Sequence, residues 1–186
     1  QFGLDVTANN IANVDTDGFQ SKTVNFADLV YTRTQGLSVV AGNGSRALST
    51  SAIVEQGAYL PGDELSAMID GEGYYAIQNP TGDAENAALY MRSGNFSLSE
   101  EGGTLYLTAP GGGYVLDQGG QRIEVANGDA TAALGQVALY AFNNPGALTA
   151  LGGGRFTPSE ASGEPVEDTV SRLVQGGTEG SNVDLA

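Results

Sequence analysis

Residues 4–19 read LDVTANNIANVDTDGF, and this stretch decides how the start of the chain folds. Leu4, Ala8 and Ile11 recur at the i, i+4 and i+7 spacing of one helix face, which predicts a helix here. Asparagine is a poor residue inside a helix, because its side chain competes for backbone hydrogen bonds. The three asparagines in the stretch are therefore predicted to make specific contacts. The pair Asp17-Gly18 is a turn signal that ends the helix.

The same stretch resembles the N-terminal signature of the flagellar axial proteins, the rod and hook family of the bacterial flagellum. That signature reads Leu-Asp-x-x-Ala-Asn-Asn-Ile-Ala-Asn-x-x-Thr-x-Gly-Phe, and residues 4–19 match it at every fixed position. Further blocks resemble the family in the expected order, at residues 56–75, 90–96, 142–165 and 175–184. The resemblance therefore covers almost the whole chain. It departs from the family pattern at single positions, among them Ser66, Met91 and Thr178.

Within this family, hook proteins carry large inserted outer domains, and the chain is too short to hold one. Residues 26–31 also resemble the rod version, so the chain is interpreted as most like the distal basal-body rod protein. The resemblance implies that helices from both chain ends pair in a coaxial inner layer, with a β domain outside. Since the chain starts at Gln1 rather than Met, we expect a core fragment that lacks the terminal helices.

The composition excludes several classes of function. The chain has 186 residues, no Cys, no His and no Trp, and Lys22 is its only lysine. It therefore lacks the usual base near neutral pH and the commonest metal ligands. The formal charge is −15, which disfavours nucleic acid and anionic membranes as partners. No run of about 18 apolar residues is present, so no membrane insertion is predicted.

The body of the chain reads as short strands that are separated by glycine-rich turns. We predict a mainly β fold, with a β-sandwich or barrel-like core and short helical and extended terminal segments that pack together. Residues 65–69 and 73–77 flank Asp70-Gly71 and are predicted to form a strand, a turn and a strand. Residues 148–151 are predicted to form one helical turn, and residues 41–47 a loop.

Three segments follow from this pattern and from the resemblance. Residues 1–47 are predicted to form an N-terminal axial segment, a helix end followed by an extended arm. Residues 48–170 form a β-rich core domain, and residues 171–186 return beside the N-terminus. The tripeptide Asn-Val-Asp occurs at residues 13–15 and again at residues 182–184, which agrees with two ends that meet.

Two patterns of acidic residues suggest other functions. The run from Asn13 to Gly18 resembles the start of an EF-hand calcium loop, but the acid that such a loop needs would fall at Val24. Pairs of acids, such as Glu100-Glu101, are the residues that glycosidases use. These pairs lie on glycine-rich turns, and no Trp is present to stack on a sugar, so turn chemistry is the better account.

These observations predict a structural subunit of the bacterial flagellar basal-body rod or hook, which self-assembles into a helical axial tube that transmits torque. The alternative is an acidic secreted β module that binds calcium or glycan. We predict no enzyme activity, no cofactor and no metal. The expected partners are other copies of the chain and neighbouring rod or hook subunits. The resemblance places the protein in the flagellar basal body, exported through the flagellar secretion apparatus without a cleaved signal peptide. The predicted assembly residues are Leu4, Asn9, Asn10, Ile11, Asn13, Phe19, Phe26, Glu179, Ser181, Asn182 and Val183.

Overall fold

The central sheet of the protein forms around strand β5, Tyr74–Gln78, which is buried along most of its length. The computed structural model describes residues 2–28, 45–53, 55–80 and 88–184. This described part is mainly β, as the pattern of strands and turns predicts. The helices are α1 (Phe2–Ala12) and α2 (Ala130–Leu134), and the strands are β1 (Lys22–Asp28), β2 (Ser45–Ala52), β3 (Tyr59–Pro61), β4 (Ala67–Asp70), β5 (Tyr74–Gln78), β6 (Ala88–Met91), β7 (Ser97–Glu101), β8 (Thr104–Thr108), β9 (Leu139–Ala141), β10 (Thr149–Gly152), β11 (Arg155–Thr157), β12 (Val166–Glu167), β13 (Arg172–Gln175) and β14 (Gly177–Glu179).

Six strands form the central sheet, in the spatial order β10-β11-β6-β5-β9-β12. All neighbouring pairs in it are antiparallel. In the middle of the sheet, Tyr75 lies opposite Met91, and Ala76 lies opposite Tyr90. The other described strands form two-stranded sheets, in which β1 pairs with β2, β3 with β14, β4 with β13 and β7 with β8. None of the sheets in the described part closes into a barrel.

The middle of the central sheet is buried on both faces, whereas its edge strands β10 and β12 are exposed. Successive side chains of a strand point to opposite faces of the sheet, so one strand can serve two cores. On β5, Tyr75 and Ile77 belong to one hydrophobic cluster, whereas Tyr74 and Ala76 belong to the other. The ring of Tyr74 packs edge-to-face against the ring of Phe142, with centroids 5.6 Å apart. On the other face, the ring of Tyr75 packs edge-to-face against the ring of Phe96, with centroids 5.0 Å apart. The result is a layered β core with aromatic packing on both of its sides.

The predicted strand, turn and strand around Asp70-Gly71 are present as β4 and β5, but these two strands do not pair with each other. Strand β4 pairs with β13, with Leu173 opposite Ile69, and β5 pairs with β6 on one side and β9 on the other. The turn therefore passes the chain from one sheet to another. Both edges of β5 are occupied, so β4 has to find its hydrogen-bond partners elsewhere. Local turn chemistry predicted the turn but could not predict this choice.

Two local predictions are wrong. Most of the predicted helical turn at residues 148–151 lies in strand β10, which pairs with β11 across a turn of three glycines at positive φ. A single helical turn has too few hydrogen bonds to be stable alone, so strand pairing wins here. Residues 45–47 of the predicted loop belong to β2, which pairs with β1. Residues 41–44 of that loop lie outside the described residues.

The buried tyrosines predict a loss of stability at alkaline pH. Burial, together with the nearby Tyr140 and Glu164, raises the pKa of Tyr90 from 10.0 to about 12. The fold thus favours the protonated phenol, so the stabilisation is complete below pH 10 and is lost as the pH rises through about 12. We expect the free energy of unfolding to fall over this range, and to fall less steeply in a Tyr90→Phe variant. Urea unfolding at several pH values measures both slopes, and identical slopes would contradict the prediction.

Candidate functional site

The two ends of the described chain meet in one place, which we call the terminal junction (residues 9–22, 53, 55–57 and 177–184). Helix α1 leads into it and ends in a series of turns that close at Gly18, whose φ is 66°. Gly18 donates its backbone N–H to the carbonyl of Glu179 at 2.7 Å. Asn182 likewise donates its backbone N–H to the carbonyl of Phe19 at 3.2 Å. The C-terminal segment is thus paired with the chain that leaves α1.

The asparagines of the N-terminal stretch have three different roles. The amide of Asn10 donates to the carbonyl of Lys22 at 2.8 Å and accepts the backbone N–H of Lys22 at 2.9 Å. The side-chain amide of Asn10 therefore makes the same two hydrogen bonds to the backbone of Lys22, the first residue of β1, that a residue of a neighbouring strand would make. Asn13 donates to the carbonyl of Asn9 at 2.8 Å and accepts from the hydroxyl of Thr16. The side chain of Asn9 is exposed and makes no hydrogen bond within the described residues.

Asn182 joins three stretches of backbone at the terminal junction. Its side-chain oxygen accepts the backbone N–H of Ser21 at 2.6 Å. Its side-chain nitrogen donates to the carbonyls of Ile53 and Glu55, at 2.8 and 3.0 Å. The amide carries one acceptor and two donors at fixed angles, so this one side chain holds both the N-terminal arm and the start of the core. Ser181 and Val183, on the same segment, are half-buried, and the hydroxyl oxygen of Ser181 accepts the backbone N–H of Val183.

A buried ion pair fixes the C-terminal segment to the β core. Arg92 follows β6 and Glu179 ends β14, and both side chains are only 2% exposed. The guanidinium donates two hydrogen bonds to one carboxylate oxygen of Glu179, at 2.7 and 2.9 Å, and a longer one to the other. It also donates to the carbonyls of Gly71 and Gly73. Glu179 accepts the N–H of Gly57 at 3.0 Å. Both charges therefore have the several partners that a buried pair needs.

Glycines let the backbones approach closely at this junction. A Cβ on Gly57 would lie 1.9 Å from the carbonyl oxygen of Gly180, and a Cβ on Gly18 would lie 2.5 Å from the nitrogen of Ser93. Neither distance can hold a methyl group. The C-terminal segment thus lies directly against the backbone of the core, so its position relative to α1 is tightly set.

Helix α1 buries none of its side chains. On α1, Leu4 is 73% exposed and Ile11 is 52% exposed, and on β1 Phe26 is 63% exposed. The ring of Phe26 lies close to Gly3, so β1 and the start of the helix touch. Contiguous exposed apolar patches are the usual sign of an interaction surface, so this region is a candidate for one.

Two grooves flank the end of α1, and they contain most of the predicted assembly residues. The terminal groove has a volume of about 480 Å³ and is lined in part by Asn10, Ile11, Asn182 and Val183. The hairpin groove has a volume of about 290 Å³ and lies between residues 9–22 and the β10–β11 hairpin; Asn9, Asn13 and Phe19 line it. Leu4 and Phe26 lie on the exposed surface beyond the grooves, whereas Glu179 is inside the molecule.

Sequence reasoning gave no role to four residues that matter here. Arg92 partners Glu179, and Gln20, Lys22 and Arg155 line the hairpin groove. One signal was available for Arg92, because a charge directly after the apolar strand ALYM is costly unless it is paired. Nothing local in the sequence points to Arg155, which reaches the groove only through the pairing of β11 with β10 and β6.

Comparison with known proteins identifies the family. The family model "Flagella basal body rod protein" matches residues 2–20. "Flagellar basal-body rod protein FlgG" of Caulobacter vibrioides is 31% identical, over 99% of this chain and 80% of the relative. The protein of the same name from Bacillus subtilis is 29% identical, over 100% of this chain and 81% of the relative. "Flagellar basal-body rod protein FlgF" of Mesorhizobium japonicum is 29% identical, over 97% of this chain and 76% of the relative. With α1, the terminal junction and almost all of the β core inside these matches, the chain belongs to the flagellar basal-body rod protein family.

Proposed function

We propose that this chain is a structural subunit of the flagellar basal-body rod, which polymerises with other copies and with neighbouring rod subunits into an axial tube that transmits torque. The observation that carries this function is the identity of 31% to a rod protein over almost the whole chain. The protein accordingly works in the flagellar basal body. None of the described helices has the length and apolar character that crossing a bilayer requires.

The terminal junction supports assembly through the chain ends. Hydrogen bonds from Asn10 and Asn182 hold α1, β1 and the C-terminal segment in one arrangement. That arrangement leaves the apolar side chains of α1 facing outward, where they gain hydrophobic stabilisation only when another subunit covers them. A polymerising subunit needs its exposed helix to be held in a fixed orientation, because every copy then presents the same surface at the same angle.

The calcium or glycan alternative gains no support. The Asn13–Gly18 run that resembles a calcium loop forms turns at the end of α1, and the side chain of Asn13 is used within them. Within the described residues, no group of three or more His, Cys, Asp or Glu side chains is placed to hold a metal ion. We also propose that the chain has no catalytic role, since no catalytic family is indicated by its relatives.

The three-part division of the chain is part of this proposal, with one adjustment. Strand β2, Ser45–Ala52, crosses the boundary between residues 47 and 48 and pairs with β1 of the arm. We therefore propose that the N-terminal axial segment extends to residue 52. The core then begins with the stretch that contacts Glu179 and Asn182, and residues 171–186 form the returning segment.

Deletion of the gene in a motile host tests the proposed function. We expect the deletion strain to lose swimming and to assemble no filament, with both restored by the complete gene on a plasmid. Electron microscopy of purified basal bodies shows whether the rod is interrupted. A deletion strain that swims at the rate of its parent, with intact rods, would refute the proposal.

An Asn9→Leu variant tests whether assembly depends on the exposed amide. Leucine is the better helix former by a few tenths of a kcal/mol, so helix stability should not fall. The Asn9 side chain has no hydrogen-bond partner within the described chain, and we propose that it bonds a neighbouring subunit. We therefore expect weaker swimming in bacteria that carry Asn9→Leu, with normal amounts of the protein. A matched Asp5→Leu variant on the same exposed helix serves as the control, and equal swimming in both would contradict the contact.

A further inference from the structure

The hairpin groove differs from the rest of this acidic molecule in its charge. The chain has 22 acidic and 7 basic residues. The described ion pairs are Arg92–Glu179 and Arg122–Glu101, which use two of the cations. Lys22 and Arg155 both line the hairpin groove, and neither forms an ion pair with a described residue. Two uncompensated cations in one groove give a local positive field on a protein whose net charge is −15.

A buried amide in the same groove also lacks a partner. Gln20 is 4% exposed and lines the groove. Its oxygen accepts from the hydroxyl of Tyr74 at 3.3 Å, but its nitrogen has no hydrogen-bond partner in the described residues. An unsatisfied buried donor of this kind costs about 1–3 kcal/mol. An occupant that carries an acceptor oxygen would remove that cost after a small side-chain adjustment.

The shape of the groove fits a short piece of protein. One wall is the end of α1 with Asn9 and the turns after it with Asn13, and the other is the turn of three glycines at residues 152–154. These three glycines have positive φ, and a Cβ on Gly152 or Gly154 would meet nothing within 4 Å. The tip of the hairpin is therefore thin and open, so the backbone of another molecule can approach it closely.

We propose that the hairpin groove is the receiving half of a heterologous contact between subunits, and that it binds an acidic turn of a second copy of this chain through Lys22, Arg155 and Gln20. This inference rests on the proposed function. Charge complementarity selects the occupant, since most turns of this chain carry carboxylates and the groove carries cations. The groove cannot bind the same groove of another copy, because both are basic. Contacts between two different surfaces repeat without closing, which generates a helical filament.

Charge reversal in the polymerising full-length protein tests this contact. We compare wild type with a double variant that carries both Lys22→Glu and Arg155→Glu. The matched control is Arg172→Glu, which replaces an exposed arginine on β13 outside the groove. Sedimentation gives the critical concentration for polymer formation, and melting curves check that each variant is folded. We expect the double variant to raise the critical concentration about tenfold or more, and the control to change it less than about twofold.

A second measurement identifies the occupant. The chain contains no cysteine, so an Ala150→Cys variant can carry a single photo-reactive maleimide beside the groove. In purified polymers we expect cross-links to a Glu- or Asp-containing turn of another copy. Cross-links that reach only apolar surfaces, or a double variant that polymerises as wild type does, would overturn the inference and leave the proposed function intact. Failure of the wild-type protein to polymerise would instead count against the proposed function.

Discussion

Replacing Glu179 by glutamine is expected to lower the free energy of unfolding by about 3–5 kcal/mol, because it leaves the buried guanidinium of Arg92 without a carboxylate. Glutamine keeps the size of the side chain, so packing changes little. It cannot offer both oxygens to Arg92, and its amide group places donors against the donors of the guanidinium. Since small domains are stable by about 5–15 kcal/mol in total, this is a large fraction.

The loss should be concentrated in the C-terminal segment. Glu179 ends β14, and the following residues bond the carbonyls of Ala58 and Phe19. Hydrogen exchange should therefore rise at the N–H groups of Gly18 and Gly180 before it rises in β5. Swimming should fall as well, because the terminal junction would no longer hold α1 at a fixed angle.

Urea unfolding measures the change in stability, and Glu100→Gln provides the control. Glu100 lies exposed on β7 and forms no ion pair with any described residue, so its replacement should change the free energy by less than about 0.5 kcal/mol. A loss below about 1 kcal/mol for Glu179→Gln would mean that the ion pair is not what fixes the C-terminal segment.

The N-terminal helix was predictable because it depends on local chemistry. The spacing of Leu4, Ala8 and Ile11 gives the helix. Asp17-Gly18 gives a turn, as predicted, but α1 already ends at Ala12, and a series of turns connects the two. The mainly β core followed in the same way from short apolar runs between glycine-rich turns. The special role of the asparagines was also visible, since a poor helix residue repeated three times in one predicted helical stretch calls for another explanation. The structure supplies that explanation for Asn10, which bonds Lys22 in both directions.

Pairings between distant parts of the chain were not predictable. Whether β4 pairs with β5 or with β13 depends on which edges the rest of the sheet leaves open, and no local pattern carries that information. The same holds for Arg92 and Glu179, which are 87 positions apart. The hairpin groove depends on strand β10 at residues 149–152, a stretch that the sequence predicts as a helical turn. The sequence therefore could not predict that Arg155 lines a groove.

Replacing Gly94 by alanine is expected to cost about 3–4 kcal/mol, because the space for its methyl group is already filled by backbone. A Cβ on Gly94 would lie 1.6 Å from the carbonyl oxygen of Ala67 and 2.9 Å from the hydroxyl of Tyr75. That carbonyl accepts the Tyr75 hydroxyl at 2.6 Å, and the carbonyl of Gly94 accepts the N–H of Ala67 at 2.9 Å. Overpacking costs about 1–3 kcal/mol, and displacing these buried hydrogen bonds adds to it.

Gly135→Ala is the matched control, since the φ of Gly135 is −65°, which suits alanine, and its Cβ would have only ordinary contacts. That change should stabilise the protein by about 0.4–1 kcal/mol. Urea unfolding of both variants should therefore give shifts of opposite sign, and a Gly94→Ala protein as stable as wild type would show that segment 93–95 does not pack against β4 as described.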